Sequence, residues 1–501
     1  MFILAILSFL GAWIMMGNSE REPSWRVSLV QGAIVWAAYT VISTELLSWF
    51  HAINKLALSI VWGLPILAGL IWIWLRLKGR RILRLPVVYH RDTWFGFVLD
   101  ALLIMVLVVT AVVAFTAPPN ANETMNTPMS RVAHWAQNQS MEHYATENEA
   151  QNSAAPGAEI IQLNFYILSG SDRIANMVAW VAYVGSIAAA ASLADVVGAS
   201  IRGRRFAAIF GATLPVAIMQ ATSATNTMLL TFWTLSAIFM LLYYLRKVQK
   251  PKILVLSAMA GALAVLTSAV ALVFLLPFAL YAIVALWQRL GLGRMLLWVL
   301  AALAILAIIN GGYLMRNQLD YGQIYQPQAL AGQVNEIRNW QVFVSNINRN
   351  LALHAVLPGI NAESWMGSYL EELHEDLDLA INDPRTTVDG EFYIPDNNTS
   401  EQPSGNPLHL MIFVLSLVAV VGIVIFGKEK PNVLIYAALL IVSMLLYCLV
   451  FKWSPTGGRT QLTYFFMFGP VAAVFLDKLE KYQVEGILAA ILLIFAIPWI
   501  F

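Results

Sequence analysis

Three short runs hold side chains that could do chemistry. "FKWSPTGGRTQLTYFF" (451–466) sets Lys452 and Arg459 beside apolar residues. Cations so placed either hold a phosphate or snorkel toward lipid headgroups with no ligand, and the run alone leaves both open. "PPNANETMNTPMSRVAHWAQNQSMEHY" (118–144) follows a long apolar stretch and is dense in Asn, Thr, Glu and His. In "SYLEELHEDLDL" (368–379), Glu371, His374 and Glu375 fall at i, i+3 and i+4, a spacing that could put metal ligands on one helical face. A solvated acidic face around Leu370, Leu373 and Leu377 is the simpler account. No Cys/His spacing of the zinc type and no phosphate-cradling glycine loop is present.

The elements that must position these residues are membrane helices. Of the 501 residues, 59% are hydrophobic and 12% charged, and the mean hydropathy is +0.68, outside the range of soluble globular chains. Apolar windows long enough to span a bilayer, about fourteen of them, fall at 2–17, 28–49, 53–76, 95–116, 174–198, 206–222, 227–245, 253–267, 268–287, 295–315, 408–426, 432–451, 461–477 and 485–501. Solid apolar runs predict helices, since barrel strands would alternate. The expected fold is an all-α polytopic membrane bundle.

Short basic loops at 76–84, 202–205, 246–252, 289–294, 427–430 and 477–483 fall on one side under this count, which the positive-inside rule makes cytoplasmic. The chain then divides into N-terminal transmembrane helices (1–116), a first extracytoplasmic loop (117–173), central helices (174–315), a second extracytoplasmic loop region (316–407) and C-terminal helices (408–501). The first apolar run lacks the basic start and cleavage site of a signal peptide, so a retained helix is expected. A net charge of +1 offers nothing to nucleic acid. The single cysteine, Cys448, lies inside an apolar window and leaves the outer loops without disulfides. Sequons at Asn122, Asn138, Asn397 and Asn398 carry no meaning in a bacterial chain.

Long loops on one face of a helical bundle tend to carry function. In 127–144, Met129, Val132, Trp135 and Ala136 recur at helical spacing, which predicts an interfacial amphipathic helix anchored by Trp135. "PVAIMQATSATNT" (215–227) is expected to add a polar turn at the same face. Asp100 and Asp195 near the basic helix ends, and Glu45 near an outer end, are not central enough for a proton relay. Helix pairing is the expected role of the two aspartates.

The run 118–144 resembles the first outer loop of a bacterial family of membrane glycosyltransferase-like proteins with the GT-C fold, related to the dolichyl-phosphate-mannose protein mannosyltransferases of family 39. The likeness continues in order through "PGAE" (156–159), "LSGSDRIANMVAW" (168–180), "ATLPVAIMQATSATN" (212–226), "INGGYLMRN" (309–317), "SNINRNLALH" (345–354), "NDPRTT" (382–387), "GNPLHL" (405–410) and "FKWSP" with Arg459. It implies an integral protein of the bacterial inner membrane. Such a protein would move a sugar from a polyprenyl-phosphate carrier to an acceptor on the outer side, the bilayer being its third partner. It also implies Glu123 as the catalytic base, or as a ligand if a divalent metal is used. Arg459 with Lys452 or Arg316 would form the phosphate clamp, and Asn226, His134, His143 and His409 would complete the substrate-binding set. The family pattern has Asp at the position of Glu123, Tyr and His at Thr127 and Pro128, Asp at Thr227, and His at Gly312 and Gln461. Those differences keep two alternatives open: a GT-C-like chain that binds a lipid-linked sugar without transferring it, and a transporter or flippase, which helix count alone supports.

Overall fold

Leu, Ile, Val, Phe and Ala runs broken by Gly, Pro and basic turns fold here as helices throughout. The computed structural model describes residues 1–19, 24–80, 83, 93–324, 332–355, 362–394, 405–426 and 433–500. Outside them lie Asn397, Asn398, the basic run 427–430 and part of the run 76–84. The helices are α1 (Ile3–Gly17), α2 (Trp25–Trp49), α3 (Lys55–Lys78), α4 (Trp94–Thr116), α5 (Asn122–Thr124), α6 (Ser130–Asn138), α7 (Ala150–Ser153), α8 (Gly157–Ser169), α9 (Ala175–Val197), α10 (Ile201–Ala212) and α11 (Pro215–Ala221). They continue as α12 (Thr227–Arg246), α13 (Pro251–Thr267), α14 (Ala271–Leu290), α15 (Leu292–Tyr321), α16 (Trp340–Ala355), α17 (Ala362–Asp376), α18 (Pro407–Phe426), α19 (Val433–Val450), α20 (Gly457–Leu476), α21 (Val484–Phe495) and α22 (Ile497–Ile500). Among the described residues, β structure amounts to two isolated bridges.

Also among the described residues, nine helices are long and apolar enough to cross a membrane: α2, α3, α4, α9, α12, α14, α15, α19 and α20. The chain is an integral, multi-pass membrane protein. α1, α13 and α21 are apolar but shorter, and α18 is apolar over Pro407–Gly422. The window expected at 206–222 is instead two helices, because Pro215 opens α11 and holds Leu214 in extended backbone, breaking the path from α10. α12 is buried along nearly all its length and packs on α9, α13, α14 and α20, whereas α3, α4, α14 and α15 leave most of theirs open for lipid.

The described basic clusters gather at one end. Arg76 reaches Asn18, Lys252 reaches Ser19, Arg204 and Lys247 share Asp195, and Arg205 grips Asp100 through two bonds. Both aspartates therefore pair helices, as their positions suggested.

The segment 127–144 departs from the expected amphipathic helix. Its α-helical part is α6 alone, preceded by a π turn over Met125–Met129. Pro128 lies in that turn; it has no N–H to bond the preceding turn, which favours the wider winding. Nor does Trp135 anchor in headgroups. It is 2% exposed, packed under the Arg131 guanidinium at 4.7 Å, and Arg131 is itself buried against Glu159 Oε1 at 3.1 Å and Ala154 O at 2.9 Å. The apolar stripe of α6 thus faces α8 instead of lipid.

Candidate functional site

Glu123 stands in α5, the single turn that leads into the π turn, and Arg459 stands in the first turn of α20. The two side chains meet as an ion pair. The arginine is buried, with 8% of its side chain exposed, while the carboxylate is 54% exposed. The pair is therefore built from within, with its acidic half offered to solvent. Arg459 Nε is buried and makes no hydrogen bond, so the guanidinium keeps a donor for a further acceptor.

Neighbouring elements fix both partners. Thr124 is buried and its hydroxyl lies 3.4 Å from that of Ser223, which joins α5 to the turn after α11. Gln162 of α8 donates to Ala224 O in that turn at 2.9 Å. On the other side, residues 451–453 pair with the region between α15 and α18 through the bridges Val334–Phe451 and Thr387–Trp453. Asn335 and Asn346 cap the open end of α19 by donating to Phe451 O, at 2.8 and 3.2 Å. Trp453, fully buried, donates to Arg349 O at 3.2 Å. The turn carrying Arg459 is thus bound to α16 and to 386–388.

α16 contributes a buried polar row from the run 345–354, which the family likeness includes but to whose residues it assigned no role. Asn350 and His354, one turn apart, both reach Gln461: Nε2 of Gln461 donates to Asn350 Oδ1 at 2.5 Å, and Oε1 lies 3.0 Å from His354 Nε2. Burial drives the His354 imidazole down to about 4 against the opposing bond to Gln461, so it is neutral at pH 7. The signal in the sequence was "NINRNLALH", whose Asn346, Asn350 and His354 fall on one helical face.

A second ion pair lies where α2 and α15 end. Arg316 holds Glu45 through two bonds, 2.7 and 3.0 Å, with both side chains about a tenth exposed. Gly312 makes this possible, because a Cβ at that position would strike the Glu45 carboxylate. His143 joins the same region with Nδ1 2.8 Å from Asp320 Oδ2. Burial lowers its affinity for protons, against the upward pull of Asp320.

No family model matches the chain, and no curated protein matches it. Among solved structures the chain is similar to the archaeal oligosaccharyltransferase AglB from Archaeoglobus fulgidus, in complex with an inhibitory peptide and a dolichol-phosphate. The TM-score is 0.45 at 11% identity, and the match covers 81% of this chain and 55% of that one. The chain thus spans about half the length of that protein.

The other sequence-nominated residues divide. Asn226 is near the pair, half-buried in the turn that holds Thr124, and donates to Thr267 O at 3.2 Å. Lys452 is taken by Glu336 Oε1 and Pro384 O, each at 2.7 Å, and works as a tie between loops. His134 is exposed and stacks on Tyr144 with ring centroids 4.0 Å apart. His409 is fully buried on α18, 3.1 Å from Thr213 Oγ1 at the break between α10 and α11. Glu371, His374 and Glu375 do not assemble. His374 turns inward to Ser345 Oγ at 2.8 Å while both glutamates face solvent, and among the described residues no group of three or more His, Cys, Asp or Glu could hold a metal ion.

Proposed function

We propose that this chain is a membrane glycosyltransferase of GT-C type, moving a sugar from a polyprenyl-phosphate carrier to an acceptor at the membrane face that bears Glu123 and Arg459. The contact between those two side chains, drawn from the two ends of the chain, carries the reading. The ordered run of motifs that resemble the family 39 relatives supports it. The phosphate of the carrier would take the Arg459 guanidinium in place of the Glu123 carboxylate, and in doing so release Glu123. The freed carboxylate would then accept the proton of the acceptor hydroxyl as its oxygen attacks the anomeric carbon. The carbon–oxygen bond to phosphate breaks, and polyprenyl phosphate leaves with its negative charge on Arg459.

A binding protein of the same fold, without transfer, is the second reading. One observation favours it: at two positions where the family pattern has histidine, this chain uses the space internally, Gly312 for the Glu45 carboxylate and Gln461 for His354. Membranes bearing the protein, supplied with polyprenyl-phosphate-linked radiolabelled sugars, separate the two. Transfer above background, lost about 10²–10⁴-fold in Glu123→Gln, establishes the transferase. Donor binding with no transfer for any donor establishes the binder, and neither result leaves both readings wrong.

A further inference from the structure

At the end of the bundle away from Glu123 and Arg459, three helices begin against one cavity. The first turns of α4, α10 and α21 line a space of about 330 Å³, a size that suits a small ligand or a headgroup. α4, 23 residues long, carries the chain about 34 Å from this cavity to the loop that holds Glu123. α20 spans the same gap, since Asp477 beyond its end binds the Ser200 hydroxyl at the head of α10, at 2.7 Å. The cavity is a separate site, at the opposite membrane surface.

Helix starts concentrate unpaired N–H groups and the positive ends of their dipoles. Those of α4 and α10 have side-chain caps, from Thr93 and Ser200, whereas α21 begins with none. Arg202 lines the cavity with 39% of its side chain exposed. These features favour a phosphate. The cavity also holds an unmatched acid. Glu485 has only 6% of its side chain exposed, its Oε1 is 3.9 Å from Arg202, and its Oε2 is buried with no hydrogen-bond partner. Such an oxygen needs a donor, and the cavity is the place from which one can come. Phe95, Leu99 and Phe206 supply apolar walls, and Trp94 stands 82% exposed at the rim, where an indole suits the headgroup plane.

A phosphate and an N–H-bearing cation on one small ligand, at a membrane surface, define an amine-bearing phospholipid. We propose that this cavity binds the headgroup of a phosphatidylethanolamine-type lipid, its phosphate at Arg202 and the α21 start and its primary ammonium on Glu485 Oε2. Phosphatidylglycerol would leave the acid without a cation, and phosphatidylcholine would bring a cation without N–H donors.

Native mass spectrometry of the full-length protein, titrated with phosphatidylethanolamine, phosphatidylcholine and phosphatidylglycerol of identical acyl chains, tests this. The expected result is a preference of about tenfold for phosphatidylethanolamine, the worth of one charge-assisted hydrogen bond. Glu485→Gln should remove that preference, and Arg202→Ala should weaken all three lipids. Equal binding of the three, or a preference for phosphatidylglycerol, overturns the proposal. So does a preference that survives Glu485→Gln in a variant with wild-type melting, or thermal stabilisation that inorganic phosphate alone reproduces. Should Glu485→Gln fail to fold, the wild-type selectivity and the Arg202→Ala series still decide it.

Discussion

The Glu123–Arg459 and Glu45–Arg316 pairs differ in exposure, and the difference separates their work. Glu123–Arg459 leaves its acid half open and a buried guanidinium N–H without an acceptor. Arg459→Ala should cut transfer about 100-fold or more, as removal of a donor to developing charge does. Arg459→Lys should recover little, because one ammonium cannot replace a fork; recovery to near wild-type rates would show that point charge alone suffices. Glu45–Arg316 is closed on both halves, and structural consequences are expected. Gly312→Ala should destabilise by about 1–3 kcal/mol through overpacking against the carboxylate, despite alanine's better helix propensity. Melting in detergent checks this, and an unchanged midpoint would mean that Glu45 has another place to go.

The π turn and α16 raise questions that belong to elements. Pro128 lies in the π turn that joins α5, which carries Glu123, to α6. Pro128→Ala restores a backbone donor and should let the turn tighten, lowering transfer or donor binding while the melting point holds. A fall in both together would instead make the turn a packing element. α16 carries a pH limit. His354 binds its proton at about 4 when folded and near 6.5 when unfolded, so between those values the unfolded chain holds more protons. Stability from this group is full above about pH 6.5 and declines as pH falls toward 4, by up to about 3 kcal/mol. His354→Gln should flatten that acid limb of the melting curve; an equally steep limb would assign it to other groups.

For the whole molecule, the separation of basic helix ends from the Glu123–Arg459 end predicts a fixed sidedness. With Cys448→Ser removing the one thiol, Glu147→Cys should react with a membrane-impermeant maleimide on intact cells. Gln249→Cys should react only after permeabilisation. The reverse pattern would turn the protein over and place the candidate site in the cytoplasm. The helical bundle was legible at this scale, since long apolar runs have one stable form in lipid, although among the described residues nine helices, against about fourteen apolar windows, are long and apolar enough to span. Two windows are broken: 485–501 parts at Ala496 between α21 and α22, and the break in 206–222 was readable in principle, since Pro215 stands in the middle of the run.

The sequence alone determined that the chain is a helical membrane protein, because backbone polar groups in hydrocarbon leave no alternative to helices at such lengths. It also nominated Glu123 and Arg459 and could not say that they touch. Their meeting depends on the packing of α5 against the turn at 223 and of the 451–459 turn against α16, contacts between segments remote along the chain. The same holds in the opposite sense for Trp135 and Lys452. Periodicity assigned Trp135 to the lipid interface and the family resemblance offered Lys452 to a phosphate, and tertiary neighbours claimed them instead: Arg131 above the indole, and Glu336 and Pro384 around the ammonium. A pattern fixes which face of a helix is apolar; only the packed fold decides whether that face meets lipid, water or protein.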